Sequence, residues 1–389
     1  MSDKRRLKVA MIGYGFMGAA HSQGWRVAPR FFDLDAQPEM QVLVGRNAGV
    51  VSDAAAKWGW AETATDWREV IARDDIDIVD IVTPGGSHAE IAIAALTAGK
   101  HVLCEKPLAN TVEDAERMAA AATAAAKNGV ISMLGHTYRR LPATTLAHDL
   151  VAAGKIGEVH QVRACYLQDW LTDPETPLVW RLQKEFAGSG SLGDIGAHII
   201  DLSEYITGTQ LVEVSGTLET IINRRPVLES TSGLGGKGGA EMGDVTVDDV
   251  ALFTGRFDSG VLGSFEATRF ATGRKNGLRI EISGSLGALS FDLERLNELQ
   301  YYDATADAAT QGFATILVTE PEHPYISAWW PAGHMLGYEH AFSHQAKDFI
   351  DAIMTGTPVR PTFDDGVHVQ RVLAAVEESS NASSMWTTI

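Results

Sequence analysis

Over the first 150 residues, short apolar runs rich in β-branched side chains alternate with stretches of helical periodicity. The runs at 7–12, 41–45, 76–83, 101–104 and 130–134 have strand length. Apolar strands separated by helical patterns predict βαβ units, in which a parallel sheet carries helices on its faces. One helix is expected over 87–98, ending at Gly99 as a left-handed cap. Another starts at Thr111, which forms an approximate capping box with Asp114 ahead of an alanine-rich run to Lys127. Beyond Gly157 the pattern changes. Segments 158–168, 212–223, 250–257, 261–270, 278–283 and 288–293 follow one another with Gly-rich turns, and only 191–206 and 338–355 read as helical. Consecutive strands joined by tight turns predict an antiparallel sheet. Residues 232–243 hold six glycines and read as a mobile loop or insertion. They are not a phosphate loop, because Thr231 and Gly238 stand where that motif needs Gly and Ser or Thr.

Length and charge narrow the class. At 389 residues two or three domains are expected, and 45% apolar with 21% charged residues excludes wholesale disorder. A net charge of −18 argues against nucleic acid or an anionic membrane surface as partner. Two cysteines, Cys104 and Cys165, make neither a disulfide framework nor a thiolate zinc site. A reducing cytoplasm is the expected location. Arg5-Arg6 could open a twin-arginine signal, but Val9 to Gly13 reads better as a core strand, and no stretch approaches 18 apolar residues.

The strongest chemical signal is Gly13-Tyr14-Gly15-Phe16-Met17-Gly18, directly after the first strand and opening a helix. The first Gly turns the chain, the second admits a pyrophosphate to the backbone and the third lets helix pack on strand. The helix N-terminus then offers free N–H groups to phosphate. A ribose-binding acid is expected at the end of the second strand, which instead reads Val44-Gly45-Arg46-Asn47. Glycine leaves room for a 2′-phosphate and Arg46 can pair with it, so NADP is favoured slightly over NAD; stacking of Arg46 on adenine is the alternative. Cys104-Glu105-Lys106-Pro107 delivers a lysine outside a strand C-terminus, where such sheets bind ligands. In the second half, Asp194 and His198 are four apart and share a helix face, a pairing suited either to acid–base work or to a cap and a structural histidine. His340 and His344 have no third metal ligand nearby, so no metal is expected. Trp329-Trp330-Pro331 with His334 could line a sugar pocket or anchor a loop.

Together the Gly motif, Glu105-Lys106-Pro107, Thr83-Pro84-x-x-x-His88 and Gly193-Asp194-x-x-x-His198 resemble the glucose–fructose oxidoreductase/inositol dehydrogenase (Gfo/Idh/MocA) superfamily over nearly the whole chain. Tyr138-Arg139-Arg140, the segment Tyr166 to Trp170, Trp180-Arg181 and 321–325 are similar to its levoglucosan dehydrogenase-like pyranoside 3-dehydrogenase branch. The resemblance implies an α/β fold: a Rossmann dinucleotide-binding domain over 1–140, and over 141–389 an α/β domain with a large, mainly antiparallel open sheet through which dimers or tetramers assemble. It implies a dehydrogenase moving hydride from a secondary ring hydroxyl, at carbon 3, of a sugar, anhydrosugar or glycoside. His198 would be the base, Lys106 would stabilise the alkoxide, and Asp194 would orient substrate and imidazole. The cofactor side would be Gly13, Gly15, Phe16, Met17, Gly18, Arg46, Thr83, Pro84, His88, Glu105 and Lys106. The substrate side would add Tyr138, Arg139, Gln168, Trp180, Arg181, Trp330 and His334. A cyclitol dehydrogenase, an NAD-dependent glycosidase and a non-catalytic nucleotide sensor are the alternatives. Arg139, Arg140 and Arg181 would suit an anionic sugar instead of a neutral one.

Overall fold

The structure, a computed structural model, describes residues 4–232 and 235–389. The chain forms two compact units, Met1–Thr137 with Tyr338–Gln370, and Tyr138–Gly337 with Arg371–Ile389.

In the first unit six strands, β1 (Arg5–Ile12), β2 (Ala36–Val44), β3 (Glu62–Ala64), β4 (Ile78–Ile81), β5 (His101–Glu105) and β6 (Ser132–Gly135), make a sheet of order β3-β2-β1-β4-β5-β6. Every pairing is parallel. The reversal of strand order beside β1 puts a crevice at the strand C-termini, where doubly wound sheets take their ligands. β4 is buried at every residue, as a sheet covered on both faces requires. β3 was not foreseen: three residues, Glu-Thr-Ala, carry no apolar run to announce it. The helix expected from Thr111 runs Val112–Ala126, and the Thr111 hydroxyl accepts the Asp114 N–H at 3.2 Å. Helix α1 (Phe16–Phe31) packs tightly against the helix His340–Thr355, for a Cβ on Gly24 would lie 2.7 Å from the carbonyl oxygen of Phe342. That late helix contributes Phe349 and Ile350 to the same core as Leu7, Met11 and Trp25.

The second unit is built on nine strands: β7 (Val159–Leu167), β8 (Leu211–Glu219), β11 (Val250–Phe257), β12 (Leu262–Thr268), β13 (Gly277–Gly284), β14 (Gly287–Asp292), β15 (Glu298–Asp303), β16 (Ala314–Leu317) and β17 (Thr387–Thr388). Their order is β16-β15-β14-β13-β7-β12-β11-β8-β17. The sheet is antiparallel except at β7–β12, which pair in parallel and make it mixed. Alternation divides its faces: Ala251, Phe253 and Phe257 are buried while Leu252 and Thr254 are exposed. The Phe253 and Phe265 rings stack across strands at 4.6 Å. The opposite face carries cross-strand ion pairs, Arg163–Glu281 at 2.9 Å and Arg256–Glu213 at 2.7 Å.

Two expectations are corrected here, and one helix is added. Residues 235–243 are not a mobile loop: β9 (Arg224–Ser232) and β10 (Gly235–Asp244) form a two-stranded antiparallel ladder, whose backbone pairing needs no side-chain signal; Gly233 and Leu234 lie outside the described residues. A helix at Pro142–Ala152 was unforeseen. The segment 191–206 is not one regular helix but a π-helical turn, Leu192–Gly196, leading into Ala197–Thr207. Among the described residues no helix is long and apolar enough to cross a membrane.

Candidate active site

In the first unit the three glycines divide the work their spacing predicts. Gly13 has φ +119°, and a Cβ there would lie 2.9 Å from the Val82 carbonyl oxygen. A Cβ on Gly18 would lie 2.9 Å from the Gly13 oxygen, so this glycine lets α1 close against the turn. Around Gly15 nothing stands within 4 Å, leaving the backbone open to a ligand. Gly15 caps α1 with no side-chain bond, so the first N–H groups of the helix face outward for phosphate. These features fit a dinucleotide. Phe16 is exposed with its ring stacked on Tyr338, while Met17 packs into the core.

The reason for Gly45 differs from the one expected. A Cβ there would sit 2.0 Å from two ring carbons of Tyr14. Gly45 therefore makes room for Tyr14, and space for a 2′-phosphate is no longer its explanation. Arg46 itself is exposed just ahead of the helix Ala48–Trp58.

Lys106 leaves the end of β5 half-buried. Its neighbour Glu105, expected on the cofactor side, is buried instead: one carboxylate oxygen accepts the Lys106 backbone N–H at 3.3 Å and the other meets His21 Nε2 at 3.0 Å. His88 is also interior. Its ring nitrogens face the carbonyls of Thr83 (2.8 Å) and Pro107 (3.0 Å); burial pushes its pKa down, and a neutral ring donates to one of the two. Thr83 accepts the Ser87 hydroxyl at 2.7 Å and Pro84 is exposed. Cys104 is fully buried, with burial and the neighbouring carboxylates holding its thiol protonated.

In the second unit Asp248, which the sequence did not mark, sets up the turn that carries Asp194. Its carboxylate accepts the N–H groups of Gly190 (2.7 Å) and Leu192 (2.8 Å) and the Ser191 hydroxyl (2.6 Å). Asp194 thus need not cap the helix; π turns of this kind recur at functional sites. Asp194 instead stands 3.5 Å from Nη1 of the fully buried Arg269. Arg181 lies over the Trp180 ring at 4.4 Å, and burial lowers its pKa, with Asp194 opposing that shift.

The His198 ring lies tilted against Tyr138 with centroids 4.6 Å apart, and Tyr166 approaches it at 5.8 Å. The two tyrosine hydroxyls are 2.8 Å apart. Tyr166 donates to Asn276 Oδ1 at 2.7 Å, so it accepts from Tyr138. Gln168 Nε2 donates to the same oxygen at 3.0 Å, and Trp170 Nε1 donates to Gln168 Oε1 at 3.0 Å. Asn276 is the hub of this shell, yet no motif announces it. Arg139 is held elsewhere, in a buried two-point pair with Asp201 at 2.6 and 2.9 Å. Arg140 is buried, whereas Trp330 and His334 are exposed, with His334 Nδ1 2.7 Å from the Pro331 carbonyl. His344 is buried, edge-on to Phe32. No cluster of three or more metal-ligating side chains occurs among the described residues.

Residues 7–136 match the model of an oxidoreductase family with an NAD-binding Rossmann fold, and 144–290 match the GFO/IDH/MocA C-terminal domain. Levoglucosan dehydrogenase of Pseudarthrobacter phenanthrenivorans is 41% identical, over 99% of this chain and 98% of that enzyme. An oxidoreductase domain protein of Kribbella flavida has a crystal structure with 60% identity and TM-score 0.94, covering 99% of both chains. A levoglucosan dehydrogenase solved in complex with NADH and levoglucosan has 40% identity and TM-score 0.92, covering 99% of this chain and all of that one. With both domains matched and a relative aligned end to end, the chain belongs to the Gfo/Idh/MocA family of NAD-binding oxidoreductases.

Proposed function

We propose that this enzyme oxidises a secondary hydroxyl, at carbon 3, of a neutral pyranose such as levoglucosan or a related glycoside. The observation that carries the reading is the uncharged shell beside His198. Tyr138, Tyr166, Asn276, Gln168 and Trp170 form one chain of hydroxyl, amide and indole groups. Such groups match sugar hydroxyls, and aromatic faces match pyranose C–H surfaces. Of the guanidiniums that would grip an anionic sugar, Arg139 is paired with Asp201, Arg140 is buried, and Arg181 lies in the field of Asp194.

In this reading His198 takes the hydroxyl proton, because hydride departs only as negative charge builds on that oxygen. Lys106 steadies the alkoxide with its ammonium group. Asp194, steadied by Arg269, orients the substrate and the imidazole. A nicotinamide dinucleotide, held at the Gly13–Gly18 turn, supplies the hydride acceptor. Tyr14 removes the steric argument for a 2′-phosphate, which leaves Arg46 as the group favouring NADP, while the relative solved with NADH supports NAD. We read the enzyme as accepting both, in the cytoplasm, as a dimer or tetramer assembled through the open sheet.

The test is a panel of levoglucosan, other neutral pyranosides, inositols and anionic sugars, assayed with NAD and with NADP. Neutral pyranosides should give the highest kcat/KM. Stronger turnover of anionic sugars, or glycoside cleavage without net cofactor reduction, would overturn the assignment. Arg46→Asp should lower kcat/KM with NADP by about tenfold or more, the scale of a lost charge-assisted contact, and leave NAD within about threefold.

A further inference from the structure

Beneath the segment that carries Lys106 lies a charged cluster that the mechanism above does not use. His21 is in α1, three residues past Gly18, and is 2% exposed; Asp80 on β4 and Glu105 at the end of β5 are 0% and 4% exposed. His21 Nδ1 lies 2.9 Å from an Asp80 oxygen and Nε2 3.0 Å from Glu105. Trp25, one turn along α1, donates its indole N–H to Asp80 at 2.7 Å. The second oxygen of Glu105 receives the backbone N–H of Lys106. A Cβ on Gly135 would lie 2.8 Å from Glu105, so β6 ends in the residue that leaves the carboxylate its place.

We propose that His21 is a positioning residue for Lys106: it anchors the Glu105 carboxylate, and through it the peptide from which Lys106 departs, to the helix that binds the pyrophosphate.

A neutral imidazole has one N–H and could donate to only one of the two carboxylates that flank it. An imidazolium donates to both. Burial works against the charge, but Asp80 and Glu105 together outweigh it and push the pKa up to about 10. The Phe342 ring, 5.4 Å away, adds no charge. The ring therefore keeps its proton at neutral pH and can hold both carboxylates. Removing it leaves two buried carboxylates facing each other, and the freest of their attachments is the one to the Lys106 peptide. Lys106 would then wander while the glycine turn, which makes no bond to Glu105, keeps its shape.

This inference rests on Lys106 being the group that stabilises the alkoxide, and its test separates the two. In the full-length enzyme with cofactor, His21→Gln should lower kcat by roughly ten- to a hundredfold, the scale of a reacting group displaced by about 1 Å. Sugar KM and the cofactor Kd should stay within about threefold. The double variant His21→Gln/Glu105→Gln, whose amides can bond without charge, should recover kcat by threefold or more. Loss of thermal stability with kcat per folded molecule unchanged overturns the proposal, as does a matching loss of cofactor binding. Should His21→Gln not fold, Glu105→Gln alone carries the same expected split. A second readout needs no substrate: exchange of the Lys106 backbone amide should accelerate tenfold or more in His21→Gln, and unchanged protection overturns the anchoring. A wild-type enzyme that oxidises no sugar, with that acceleration still present, defeats the assigned activity and leaves the anchoring supported.

Discussion

The two units hold their polar interiors in opposite ways. In the first, His21 is buried between the carboxylates of Asp80 and Glu105 and bonded to each at short range. In the second, Tyr138, Tyr166, Asn276 and Gln168 make a neutral relay that is only partly buried. A buried charge cluster tolerates one geometry, because each partner lost leaves an uncompensated ion. A chain of hydroxyls and amides tolerates several, since each member can turn donor or acceptor toward water or a ligand. The contrast suits the partners proposed for each side: a cofactor of constant shape, and a sugar whose hydroxyls must be met individually.

The comparison can be broken at several strengths. The largest effects belong to the groups proposed to react, one in each unit: Lys106→Ala and His198→Ala should each lower kcat by roughly 10²–10⁴ in steady-state assays. Asp194→Ala, as an orienting residue, should show more of its effect in sugar KM. A His198→Ala enzyme with near-full kcat would move the role of base to Lys106. Next comes the charged cluster. Asp80→Ala strands the donors of His21 and Trp25 and should cost about 3–5 kcal/mol in urea unfolding. Asn276→Ala, at the hub of the neutral relay, should cost only about 1 kcal/mol, because it removes neutral hydrogen bonds and strands no charge, and should raise sugar KM instead. Equal costs for these two variants would erase the distinction. The pH dependence sharpens it further. Folded His21 holds its proton up to about pH 10, whereas an unfolded histidine releases it near its ordinary 6.5. Its stabilising contribution is thus complete below 6.5 and lost as pH rises through 10. Unfolding free energy should fall by about 1.4 kcal/mol per pH unit between pH 7 and 9. A flat profile over that range would mean that the ring is neutral.

What the sequence disclosed follows from the reach of each signal. The Gly13–Gly18 turn and the strand runs were legible because a strand or a glycine turn is decided within a few residues, and short motifs singled out Lys106, Asp194 and His198 as candidates. β3 and the ladder at 235–244 were not, since their pairing lies in backbone bonds that Glu-Thr-Ala or a glycine tract does not advertise. His21 meets Asp80 and Glu105 across 59 and 84 residues, and Asn276 meets Tyr166 across 110. No local spacing encodes such contacts. The i,i+4 pair of His21 and Trp25 on the buried face of α1 was the one available hint. Glu105 and His88, which their motifs marked for the ligand, have buried side chains bonded within the fold beside Lys106.

The return of Tyr338–Gln370 to the first unit has a consequence for how the molecule is born. Phe349 and Ile350 complete the core around Trp25, and Gly24 is shaped to the backbone at Phe342. On the ribosome the amino-terminal unit must therefore wait, with that side of its sheet uncovered, while all of residues 138–337 are made. At about 5–20 residues per second the delay is on the order of 10–40 s. The second unit's sheet, apart from its β17 edge, is contained in the intervening stretch, but that unit too buries Val372, Leu373 and Val376 from the last segment made, so neither core is complete until the carboxy-terminal helices emerge.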